Sequence, residues 1–167
     1  MRDVDLSLYP LDQAYITSSI FDGMNLFNKD ISSALLCSSA FITANLEGAD
    51  FCKSYVSYVD FTGANIKSAR FADSECETVF VKADLSEANL VGGLFDEADF
   101  RNAILINVDK RLATFDGVLL NGSILSGIQG IEEAIINSIN IGSPEQPLTL
   151  RCEEAKKWLQ DNSLNKD

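Results

Sequence analysis

The chain has 167 residues, enough for one domain, and 46% of them are hydrophobic, enough for a core. Its 13 Lys and Arg stand against 25 Asp and Glu, a formal charge of -12, which disfavours direct nucleic-acid binding and anionic membranes and favours a basic partner. His is absent, which removes the commonest general base and the commonest metal ligand together and argues against an enzyme.

No run approaches the ~18 apolar residues that a bilayer span needs, and Met1 to Asp5 is too polar to open a signal peptide. The expectation is a soluble chain, compatible with an earlier targeting segment having been removed. Cys37, Cys52, Cys76 and Cys152 have neither a CxxC pair nor metal-ligand spacing, so no zinc site or disulfide framework is signalled.

From about Val4 an apolar residue recurs every five positions: Leu6, Leu11, Ile16, Phe21 and Leu26, and onward to Cys76. These are the centres of five-residue units. One residue is then missing, the next centre is Phe80, and the spacing resumes as far as Leu125. An extra residue near Gly130 and Ile131 restores the phase for Ile136 and Ile141. A period of five suits neither a helix, which wants 3.6, nor a strand, which wants 2, and such fixed self-similarity signals a solenoid. A second period of twenty aligns Phe21, Phe41, Phe61, Phe80, Phe100 and Leu120, which predicts four units per coil with these side chains stacked on one wall.

Ala44-Asn45-Leu46, Ala49-Asp50-Phe51, Ala64-Asn65-Ile66, Ala83-Asp84-Leu85, Ala88-Asn89-Leu90 and Ala98-Asp99-Phe100 match the motif A(D/N)LXX letter for letter. Over roughly residues 4–141 the chain resembles the pentapeptide repeat proteins. That resemblance implies an all-β solenoid, a right-handed quadrilateral β-helix with one unit per face and four per coil. About seven coils at ~4.8 Å per rung would make a rod on the order of 34 Å long.

In that frame each centre and the small residue two before it point inward. Wall I carries Ile16, Leu36, Val56, Cys76, Phe95, Phe115 and Ile136, and wall II the Phe column. Wall III carries Leu26, Leu46, Ile66, Leu85, Leu105 and Leu125, and wall IV Ile31, Phe51, Phe71, Leu90 and Lys110. Residues 1–142 are the expected repeat domain, with an irregular first coil through Asp12. Residues 143–167 are the expected linker and capping helix. Leu148, Cys152, Ala155 and Leu159 form one stripe of that helix, with Thr149 as N-cap and Glu153–Lys157 as an i,i+4 pair. A helix laid across the last coil would block end-to-end pairing of open rungs; dimerisation through it is the competing reading, and a monomer is favoured.

Several residues break the pattern. Lys110 sits at a centre, where a lone buried ammonium is costly, so Val108–Leu112 is expected to bulge and turn it outward. Lys29 sits at a small-residue position, which suggests fraying of the early coils. Cys76 reads as a small buried hydrophobe, and Cys37 and Cys52 as too far apart to pair. The recurring Asp50, Asp60, Asp84 and Asp99 read as a solvated face rather than a cation ladder. Tyr55 and Tyr58 read as exposed and able to anchor a partner.

No residue is named as catalytic, cofactor-binding or metal-ligating, and no cofactor is expected. The function expected is a non-enzymatic protein-interaction module, an acidic rod presenting side chains to an unidentified protein partner. The resemblance is strongest to small cyanobacterial members, some of them exported to the thylakoid lumen. It implies a lumenal or periplasmic location, with the cytoplasm as alternative. The family also contains DNA mimics that inhibit DNA gyrase; for this acidic chain that is the alternative function.

Overall fold

The corner closing most units is set by the residue two after the centre, which takes a positive φ. At Phe41 the carbonyl accepts from the Ala44 amide at 3.0 Å, with Thr43 at φ 57° between them. Phe61 and Ala64 repeat the bond at 3.0 Å with Gly63 at φ 67°. This is a type II turn, which needs a left-handed residue in third place. The Asp or Asn before each centre completes the corner by accepting from the amide two residues on: Cys52 N to Asp50 Oδ1 at 2.9 Å, Thr62 N to Asp60 Oδ1 at 2.8 Å, Ser86 N to Asp84 Oδ1 at 3.0 Å. The motif's second letter is thus a local turn device.

The computed structural model describes residues 9–164. Its elements are β1 (Tyr15–Thr17), β2 (Leu35–Cys37), β3 (Tyr55–Asp60), β4 (Glu75–Val79), β5 (Leu94–Asp96), β6 (Ile104–Ile106), β7 (Thr114–Asp116), β8 (Val118–Leu119), β9 (Ile124–Ser126), β10 (Ile135–Ile136), β11 (Ser138–Asn140), β12 (Thr149–Arg151) and α1 (Cys152–Ser163). The repeats wind into a right-handed quadrilateral β-helix. Wall I is its continuous sheet, seven parallel strands in the order β1-β2-β3-β4-β5-β7-β10, hence six full turns from first rung to last. The register partners Tyr15, Leu35, Tyr55, Glu75, Leu94, Thr114 and Ile135 are twenty residues apart except at the two slips read from the sequence. Isolated parallel bridges such as Asn45↔Asn65 and Asp50↔Arg70 tie the other walls.

Two aromatic stacks of the interior meet edge to face, and Phe95 stacks on Phe115 at 5.3 Å on wall I. Phe21, Phe41, Phe61, Phe80 and Phe100 run up wall II with centroids 4.6, 5.2, 5.3 and 4.9 Å apart. Phe51 and Phe71 stack at 4.6 Å on wall IV, and Phe61 meets them at 80° and 85°. Ala44, Ala49, Ala64, Ala69, Ala83 and Ala98 are buried at the small inward positions. Where Ser74 replaces Ala, its hydroxyl donates to the Phe71 carbonyl at 2.6 Å, so the substitution leaves no polar atom stranded.

Lys110 corrects the sequence expectation. Val108–Leu112 does not bulge: Asp109 bridges both Asn89 and Gln129, the Lys110 amide donates to Gln129 O at 3.2 Å, and Ala113 N to Lys110 O at 3.1 Å. Rung bonds on both sides hold the unit in register, and Lys110 points inward at 4% exposure. The register that pairs Asp109 with Gln129 puts Gly130 over Lys110, and a glycine there adds no side chain to the column. Lys29 is also a correction, since its coil is not frayed: Lys29 N donates to Leu26 O at 3.0 Å and Asn28 N to Glu47 O at 2.9 Å. Leu6 and the rest of 1–8 lie outside the described residues, while Leu11 already makes a regular corner with Ala14 at 3.3 Å.

The C-terminal segment differs in detail from the expected helix. Thr149 is not an N-cap; it belongs to β12, which pairs antiparallel with β11 through Ile139↔Leu150. The helix starts at Cys152 behind Arg151, with no side-chain cap. Cys152 and Leu148 are exposed, so the buried stripe is Ala155, Leu159 and Ser163. Lys157 pairs forward with Asp161 at 3.1 Å rather than back with Glu153. The helix lies on the last coil: Gly127 N donates to Ser163 O at 2.9 Å, Lys156 Nζ to Glu132 O at 3.3 Å, and Gln160 Nε2 to Glu132 Oε1. Among the described residues no helix is long and apolar enough to cross a membrane.

Candidate functional site

Three walls neutralise much of their own charge. Arg70 pairs with Asp50 at 2.8 Å, Lys67 with Asp84 at 3.2 Å, Arg111 with Asp109 at 2.7 Å, and Arg101 grips Asp99 through Nε and Nη2 at 2.9 and 2.6 Å. The Arg111 guanidinium holds the Asp109 carboxyl below its ordinary value. Asn25, Asn45 and Asn65 form an amide ladder at 3.0 and 3.2 Å on wall III. The carboxylates of these walls are engaged in turns and ion pairs, and among the described residues no group of three or more His, Cys, Asp or Glu is placed to hold a metal.

Wall I is built differently. Where the motif has Asp or Asn before the centre, this wall has Tyr15, Leu35, Tyr55, Glu75, Leu94, Thr114 and Ile135. The β register puts them in one outward column. Tyr15 is 84% exposed, Tyr55 44%, Leu94 42% and Ile135 56%. The other outward column, after the centres, runs Thr17, Cys37, Ser57, Glu77, Asp96, Asp116 and Asn137; neither column contains Lys or Arg. Among the described residues Glu75, Glu77 and Asp96 have no ion pair.

The single-residue deletion marks the middle of this face. Most strand pairs here match over two or more positions, but β4 meets β5 at the single pair Glu75↔Leu94. A hollow of about 150 Å³ lies there, lined by Tyr55, Ser57, Glu75, Glu77, Leu94 and Asp96, with Val56 and Cys76 below. Glu77 raises the Tyr58 phenol above its ordinary pKa through a side-chain hydrogen bond and its charge. Burial pushes the Cys76 thiol up to about 12, so it lines the floor as an inert neutral group. Cys37, Cys52, Cys76 and Cys152 are all free thiols.

The second unusual place is under α1. Lys110 lines a cavity of about 30 Å³ with Leu90, Phe100, Leu105, Phe115 and Leu159. Its Nζ lies 5.2 Å from the Phe115 ring centroid, and among the described residues no carboxylate reaches it. Burial, helped by the positive charge of Lys156, brings its pKa down to about 7.

Of the residues singled out from the sequence, Tyr55 stands on the hollow's rim and Tyr58 is exposed beside it. Missed were Tyr15, Leu35, Leu94 and Ile135 as one stripe, and Glu75 within it. Their signal was in the sequence: every twentieth second-position residue departs from Asp or Asn.

Fold and site together define a β-solenoid of five-residue units with one outward face that carries exposed Tyr, Leu and Ile. The family model for pentapeptide repeats matches residues 31–74 and 78–127 in eight copies, and the chain belongs to that family. No curated protein matches it. Among solved structures it is similar to HetL, a pentapeptide repeat protein involved in heterocyst differentiation regulation from the cyanobacterium Nostoc sp. strain PCC 7120. That match has 22% identity and a TM-score of 0.32, covering 74% of this chain and 62% of HetL, so the chain spans less than two thirds of that relative. It is similar to Rfr23 from the cyanobacterium Cyanothece 51142 at 20% identity and TM-score 0.46, covering 77% and 88% of the two chains. A pentapeptide repeat protein of the Arabidopsis thaliana thylakoid lumen matches at 20% identity and TM-score 0.37, covering 93% and 82%.

Proposed function

We propose that this protein is a non-enzymatic interaction module, an acidic rod that docks a protein partner. The observation that carries this reading is the outward column of wall I, where exposed Tyr, Leu and Ile replace the motif's turn-forming Asp and Asn. Exposed apolar side chains gathered on one face mark contact surfaces rather than solvated ones. In this reading residues 1–142 form the docking rod, residues 143–167 keep its end closed, and the rod itself is a monomer. A thylakoid-lumenal or periplasmic location, with the cytoplasm as alternative, rests on family resemblance and is tested by fractionating the source cells.

The test compares the native size of the protein in gently lysed source cells with that of the purified chain. A larger, heteromeric species in cells is expected; the monomer size in both would overturn the reading. The net charge of -12 supports the alternative, DNA mimicry toward gyrase. Plasmid supercoiling by gyrase that is unaffected at micromolar excess of the protein would dispose of it.

A further inference from the structure

We infer that wall I docks an arginine-bearing segment of its partner, with one guanidinium seated in the hollow between Tyr55 and Leu94 against Glu75 and Glu77. This rests on the interaction-module reading and names the partner's chemistry. Tyr55, Glu75 and Leu94 are consecutive partners in the register. At a rung spacing of ~4.8 Å, Tyr55 and Leu94 stand about 10 Å apart with Glu75 on the rung between them, and the hollow of about 150 Å³ beside Glu75 is the space open to an inserted side chain. Between them is a carboxylate, beside it Glu77, and one rung on Asp96.

Charge complementarity selects the occupant. The face has apolar relief and acidic groups, and neither of its outward columns has a cation of its own. Elsewhere on the rod Asp50, Asp84, Asp99 and Asp109 are each matched by an Arg or Lys of this chain, and Asp22, Asp30 and Asp60 each accept a backbone amide, whereas among the described residues Glu75 and Asp96 have neither. An acidic partner would leave Glu75 and Glu77 facing like charge, and a purely apolar one would desolvate them unpaired. A second copy of this face would bring the same carboxylates together. Arginine meets all the terms: its planar guanidinium stacks on a Tyr ring, pairs with a carboxylate through two N–H groups, and covers apolar surface with its stem. Flanking apolar residues of the same segment would then cover Leu35 and Thr114 on the neighbouring rungs.

The experiment places a photo-crosslinking benzoylphenylalanine in the full-length protein in its source cells. It replaces Thr114, one rung from Leu94 on wall I and outside the hollow, and, in separate strains, Val81, Lys67 and Val91 on walls II, III and IV. The expected result is a crosslink from Thr114 alone, to a partner peptide that mass spectrometry finds to contain Arg. A Glu75→Gln, Glu77→Gln variant of unchanged circular dichroism should lower its yield about tenfold, the loss of one charge-assisted pair. A partner captured only from walls II to IV overturns the docking face and leaves the interaction module standing. A crosslink from Thr114 to a second copy, a captured peptide without Arg, or a yield indifferent to the double variant overturns the arginine assignment. No crosslink from any wall overturns both readings.

Discussion

Lys110 lies beside the Phe115 ring, its Nζ 5.2 Å from the centroid, in an apolar cavity that Leu159 of the capping helix helps to close. A cation facing an aromatic ring recovers only part of what water gave it. The rung bonds of Asp109 and Gly130's bare position hold it there, so the coil beneath the last one contains a built-in destabilising charge.

Replacing that charge should therefore stabilise the protein. Lys110→Met keeps the stem volume and removes the ammonium, and is expected to raise stability at pH 7 by on the order of 2–5 kcal/mol. Chemical denaturation of both proteins checks it, and a destabilised Lys110→Met would mean the amine makes a contact worth keeping.

The same residue sets a pH dependence. Unfolded, Lys110 holds its proton up to its ordinary 10.5; folded, only to about 7. Between these values the unfolded state binds more protons, so this group's contribution to stability rises with pH across that window and is flat below it. Denaturation midpoints measured from pH 6 to 10 should climb above pH 7 in the native protein, and that component should vanish in Lys110→Met.

Phe61 stacks between Phe41 and Phe80 and meets Phe51 and Phe71 edge-on. Phe61→Ala should cost about 3–5 kcal/mol, because neighbouring rungs are hydrogen-bonded on both sides and cannot collapse into the gap. A melting temperature near that of the native protein would contradict the stacked core.

Gly130 has a φ of +76°, and a Cβ there would come 2.6 Å from Arg111 N and 2.7 Å from Arg111 Cα. Both neighbours are backbone and cannot swing aside. Gly130→Ala should cost on the order of 1–3 kcal/mol in thermal or chemical denaturation. A neutral result would mean that the inserted residue sits elsewhere in the turn.

Leu159 and Ala155 are the buried face of α1, and Ser163 O receives the Gly127 amide of the last coil. Leu159→Asp should lift the helix and bare the terminal rungs, and light scattering should then find concentration-dependent association. A variant that stays monodisperse would assign the protection of that end to β12.

Sequence by itself determined the walls, the coil, both slips and the inward Phe and Ala columns, because a five-residue period leaves a stacked chain no second way to bury its centres. It also marked Tyr55 and Tyr58 as exposed. The orientation of Lys110 was decided by tertiary structure, where rung bonds to Asn89 and Gln129 fix its unit and outweigh the cost of burying an amine. Tertiary pairing likewise drew Thr149 into a strand against Asn140 and left Cys152 exposed at the helix start, against the helical periodicity of that segment. The candidate site lay between the two. Its residues stand twenty apart in the chain, but only stacking makes a surface of Tyr15, Tyr55 and Leu94. The hollow at Glu75 exists because a missing residue cuts the pairing of two strands to a single position.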